Sequence, residues 1–123
     1  MDTVELFIKQ AMEHKKNNNL VDAISAYSEA MDYLIMEARN FAQKKVGYID
    51  EGEKRTITQE YFDAVKSYLR RDKNASHISN NMGVLYARLD DFENAKKLFE
   101  EAIDSYPEGE IYQEAIKNLE EVK

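Results

Sequence analysis

The stretch SNNMGVLYARLDDFENAKKLFEEAIDSYP, from Ser79 to Pro107, decides the fold. Its first part places Met82, Leu85, Tyr86 and Leu89 at three- and four-residue spacing, one stripe of a helix. Asp90 and Asp91 interrupt the pattern, because aspartate competes for backbone hydrogen bonds and favours turns and N-caps. A second helix follows, with Phe92, Ala95, Leu98, Phe99, Ala102 and Ile103 on one face, and Pro107 stops it. So short a connection forces the two helices to pack antiparallel.

Within this hairpin Gly83, Tyr86, Ala95, Phe99, Ala102 and Pro107 follow at spacings of three, nine, four, three and five, with Met82 preceding the glycine. The series resembles the tetratricopeptide repeat; Ser79 stands where that family often has tryptophan. The physical sense is that Gly83 and Ala95 let the helices approach, Tyr86 and Phe99 fill the space around them, and Ala102 admits the next helix. The same template fits the N-terminus through Ala11, His14, Ala23, Tyr27 and Ala30, with Asn17, Asn18 and Asn19 as the turn. His14 there fills the aromatic place, no proline closes the unit, and the second helix runs on through Leu34, Ile35, Ala38, Phe41 and Ala42 toward Lys45.

Ala11 and Gly83 lie 72 positions apart, two periods of about 34 and a few residues more. One irregular unit fits between them. Its second helix is expected from Ile57 to Asp72, carrying Tyr61, Ala64 and Tyr68, with Arg71 in an alanine place. Its first helix is expected to have merged with the long helix before it, and Val46 to Arg55, polar with two glycines, reads as a loop. After Pro107, Ile111, Ala115, Ile116, Leu119 and Val122 recur at helical spacing, with Glu114, Lys117, Glu120 and Glu121 on the other side: a capping helix with one wet face. The expected organisation is a single all-α domain, residues 1–123: approximate repeats at 4–37, 38–75 (irregular) and 76–109, then the cap at 110–123. A rival template is a three-helix bundle of the microtubule-interacting-and-trafficking type. It resembles the chain from Asn18 to Tyr27, at Ala30, and from Glu60 to Arg71.

Composition narrows the function classes. With no cysteine there is no disulfide framework and no thiolate metal site, which fits a reducing compartment. No segment approaches the ~18 consecutive apolar residues of a membrane-spanning helix, and the start, Met1 to Glu5, has neither a basic nor an apolar run. A cytoplasmic location without membrane insertion is the expectation. The net charge of −7 is uneven: residues 76–123 hold 5 basic and 11 acidic side chains, residues 1–75 hold 12 and 13. Acidity repels phosphate backbones, so nucleic acid is not an expected partner. It attracts a basic partner, and solubility alone explains it equally well.

Nothing in the pattern carries catalysis, so no enzyme and no cofactor are expected. His14 and His77 fall in different repeats, without the three or four ligands that zinc needs. Adjacent carboxylates such as Glu100 and Glu101 point about 100° apart on a helix and cannot face one substrate. Asp90 and Asp91 lack the glycine and spaced ligands of a calcium loop.

In stacked helical repeats the first helix of each pair lines a concave surface. The resemblance then places His77, Asn80, Asn81, Val84 and Arg88 of the complete repeat in that groove, with Glu5, Ile8, Lys9, Met12 and Lys16 of the first. Ordinary exposed surface is the plainer reading of the same residues. One subset of the family grips a C-terminal carboxylate with lysines, asparagines and an arginine. Asn81 fits that pattern, but Ile8, Met12, Ile111 and Ala115 stand where the others belong. A carboxylate without a cation is poorly held. The Ile8–Met12–Val84 set suits instead an amphipathic helix or extended peptide of another protein. The second hypothesis is a homo-oligomer, formed if the Leu34–Ala42 face of the long helix is open and pairs with its own copy.

Overall fold

The computed structural model describes residues 2–46, 49–51, 54–56, 58–105 and 110–122. In chain order the elements are α1 (Thr3–Lys16), α2 (Leu20–Lys45), β1 (Ile49–Glu51), β2 (Lys54–Thr56), α3 (Gln59–Arg71), α4 (Lys73–Arg88), α5 (Phe92–Ser105) and α6 (Glu110–Val122). The fold is all-α in its packing. α1 pairs with α2, α4 with α5, and α6 lies on α5 and α4.

Capping chemistry sets the helix boundaries. Asp2 accepts from the Glu5 backbone N–H at 2.9 Å to start α1, and Thr58 accepts from that of Tyr61 at 3.2 Å to start α3. Asp72 accepts from the Asn74 N–H at 2.9 Å, so it closes α3 and opens α4 at once. Asp91 accepts from the Asn94 N–H at 3.2 Å and also takes a bond from the Asn94 side-chain amide. α2 continues for 26 residues because no glycine or proline stands within it.

The core joins Val4 and Ala11 of α1, Ala23, Ala26, Tyr27, Ala30 and Leu34 of α2, and Ala75, Ile78, Met82 and Leu85 of α4. α4 therefore docks directly on α2. Gly83 is buried against Phe99 of α5, where an added Cβ would lie 2.6 Å from the ring's Cε1. That is the close approach its place in the hairpin called for.

α2 serves two neighbours, since α3 also packs along it. Tyr68 of α3 stacks at a tilt on Phe41, 5.3 Å between centroids, and donates to Glu37 at 3.3 Å. Arg70 reaches from α3 to Asp104 near the end of α5, 3.2 Å away. α1 and α3 form no substantial contact among the described residues, although the three-helix alternative needs them packed together.

Three expectations change. Residues 46–55 are not simply a loop: β1 and β2 pair antiparallel, Ile49 with Thr56, Asp50 with Arg55 and Glu51 with Lys54. Three-residue strands are too short to print an alternation in sequence. The helix expected over 57–72 spans Gln59–Arg71, because Thr58 and Asp72 are spent as caps. The Leu34–Ala42 face is not open: Leu34, Ala38 and Ala42 are buried, and α3 is the helix that lies along this half of α2. The stop assigned to Pro107 falls outside the described residues.

Candidate partner-binding surface

On α1, Glu5, Lys9, Met12 and Lys16 are all exposed and recur at the spacing of one helical stripe. Met12 is the conspicuous member, 58% exposed although apolar. Ile8 beside it is half-buried and packs against the core, so it supports the stripe more than it presents a surface. On α4, His77 and Arg88 are exposed while Asn81 and Val84 are half-buried, again at one-stripe spacing. The charged members Lys9, Lys16 and Arg88 are cations, with Glu5 the exception, in a chain of net charge −7.

Asn80 departs from the expected groove. Its side chain is 0% exposed, and it accepts a bond from the Asn118 amide of α6 at 3.1 Å. The step from Asn81 to Asn80 turns a side chain by about 100°, enough to pass from an open face to the α6 contact. Asn81 is also engaged. Its side chain lies beside the Tyr27 hydroxyl, across the contact between α4 and α2. Burial pushes the Tyr27 phenol above its ordinary value, and the neighbouring Asn81 side chain offsets part of that rise.

The one residue that matches the carboxylate grip, Asn81, is thus half-buried beside Tyr27. Ile111 and Ala115, in the other grip positions, are buried on the inner side of α6. Glu114, Lys117, Glu120 and Glu121 are exposed, as a capping helix requires. His14 is half-buried and shares a shallow hollow on α1 with Leu6, Lys9, Gln10 and Glu13.

One feature had no signal in the sequence. A cavity of about 240 Å³ opens between α2, α3, α4 and α5, walled by Met31, Ile35, Leu69 and Ala75. Lys66 and Arg70 line it with Glu101 and Asp104. Partial burial raises the Glu101 carboxyl, and the nearby Lys97 charge opposes the rise. The cavity depends on where α3 lies against the hairpin, which periodicity does not report.

Among the described residues no group of three or more His, Cys, Asp or Glu side chains could hold a metal ion. Nor is any helix among them long and apolar enough to cross a membrane. No curated protein matches the chain. Residues 76–108 match the family described as Tetratricopeptide repeat. That span covers the α4–α5 hairpin, where Gly83 packs on Phe99, and its Schellman-type turn is repeated between α1 and α2. The α4–α5 hairpin is thus similar to a tetratricopeptide repeat, within a chain whose packing is all-α.

Proposed function

We propose that the protein is a non-catalytic interaction module that holds a peptide or amphipathic helix of another protein along α1 and α4. Repeats of this kind serve protein–protein interaction, and the family match at 76–108 supports that level of the reading. The observation that carries the finer reading is Met12, an apolar side chain left 58% exposed between the cations Lys9 and Lys16. An apolar position flanked by cations on an open helix face suits a helix with one apolar stripe and acidic shoulders. The acidity of the chain as a whole would favour a basic partner; the stripe itself favours an acidic one.

The test is crosslinking from native lysate through a photoreactive residue at Lys9, with partners identified by mass spectrometry. Met12→Glu should lower their capture at least tenfold, while Glu114→Lys on the outer face of α6 leaves it unchanged. Equal capture by Met12→Glu, with circular dichroism unaltered, would sink the reading.

A further inference from the structure

The contact between α4 and α6 carries a polar pair where the contact between α2 and α4 carries Ile78, Met82 and Leu85. Asn80 is wholly buried there, its oxygen bonded to the Asn118 amide at 3.1 Å. Its own amide nitrogen has no hydrogen-bond partner. Burying a donor without an acceptor loses the full hydration of that group, and the loss falls on whichever contact buries it. Here that contact is α6.

The last turn of α6, like that of α5, lacks a basic side chain to oppose the helix dipole. α1, α2, α3 and α4 each end in basic side chains, which suit the negative end of the helix dipole. The last turn of α6 also carries Glu120 and Glu121. Its apolar seat rests on Ile111 and Ala115, four positions apart, with Asn118 three further on.

We propose that α6 is an exchangeable cover, and that the surface beneath it on α4 and α5 accepts a partner's amphipathic helix in its place. The partner helix would present an apolar and a small residue four apart, then a carboxamide at the Asn118 position. A glutamine there is long enough to pair with both the oxygen and the nitrogen of Asn80, which Asn118 does not do. This surface uses neither Met12 nor Val84, so it stands or falls separately from the proposed groove.

Hydrogen exchange on the full chain tests the first half. Backbone amides of α6 should exchange at least tenfold faster than those of α4, at a rate independent of protein concentration. Equal protection of α6 and α4 would overturn the proposal. For the second half, a labelled peptide of residues 110–122 is titrated into the full chain carrying Asn118→Ala, which loosens the resident helix. Saturable binding is expected, at least threefold tighter when the peptide itself carries Asn118→Gln. Absence of binding, or no gain from the glutamine, overturns the assigned surface. A concentration-dependent dimer formed by exchange of α6 between copies overturns the assignment to a foreign helix.

Discussion

The hairpins α1–α2 and α4–α5 are two versions of one unit, 72 positions apart, and they differ in what they must pack against. Both turn through the same backbone device. Asn18 and Asp90 adopt φ of 62° and 61°; the Asn19 N–H bonds the His14 carbonyl and the Asp91 N–H that of Tyr86. The inner pairs, Asn18 to Lys15 and Asp90 to Ala87, also match, completing two Schellman closures. Both bury a small residue on the first helix and an aromatic on the second, Ala11 and Tyr27 in one, Gly83 against Phe99 in the other.

The outward faces diverge. Ile78, Met82 and Leu85 of α4 are buried toward α2, whereas their counterparts Leu6, Gln10 and Glu13 on α1 are exposed. The face that docks on a preceding helix is apolar throughout, whereas the uncovered face keeps one apolar residue, Leu6, and turns polar at Gln10 and Glu13. The difference also runs through the aromatics. The Tyr27 hydroxyl lies beside Asn81 of the following hairpin, and Phe99 has no hydroxyl to offer α6.

The largest effect expected from this comparison is at Gly83. An alanine Cβ would meet Phe99 Cε1 at 2.6 Å and Cδ1 at 2.8 Å, and the ring is 1% exposed with nowhere to retreat. Overpacking of this kind costs about 1–3 kcal/mol, more than the ~1 kcal/mol that alanine gains in helix propensity. Chemical denaturation of Gly83→Ala should show that net loss, and adding Phe99→Leu should recover part of it. An unchanged midpoint for Gly83→Ala would mean that α4 and α5 stand farther apart than the 2.6 Å approach to Phe99 implies.

The complete hairpin was legible because each of its residues acts on a neighbour in the same hairpin, so spacing alone encodes the contact. The cap was legible for the same reason, through its one wet face. The rest depended on what covers what. Periodicity showed that Leu34, Ala38 and Ala42 form an apolar stripe, and only the positions of α3 and α4 on α2 show it to be covered. Asn80 was read with Asn81 as groove because both fall on the first helix of the repeat; α6 separates them. The β1–β2 pair left no trace, since its three-residue strands are shorter than the pattern that would betray them.

A smaller effect is expected at Tyr27. Tyr27→Phe keeps the ring and removes the hydroxyl beside Asn81, so no more than about 1 kcal/mol should be lost at neutral pH. The half-buried Asn81 turns to water, which keeps the loss small. The variant also removes a pH dependence. Burial holds the Tyr27 phenol above its ordinary 10.0, so the stability it adds is present below that pH and falls away as the pH rises through the raised value. Tyr27→Phe should therefore flatten the alkaline limb of a stability profile. Equal limbs for both proteins would show that the phenol is wetter than its burial implies.

The smallest effect tests the likeness of the hairpins instead of their difference. Asn18 and Asp90 hold left-handed backbone, where a side chain is tolerated best as Asn or Asp and glycine carries no steric cost. Glycine also adds entropy to the unfolded chain, so relief of strain is partly cancelled. Asn18→Gly and Asp90→Gly should each stabilise by about 0.5 kcal/mol, within the reach of paired denaturation curves. The two gains should be equal, because the φ angles agree and neither residue's side chain caps a helix; Asn19 and Asp91 occupy those places. Unequal gains would show that one turn is held by contacts outside its own hairpin, and that the two units share a backbone shape without sharing its cause.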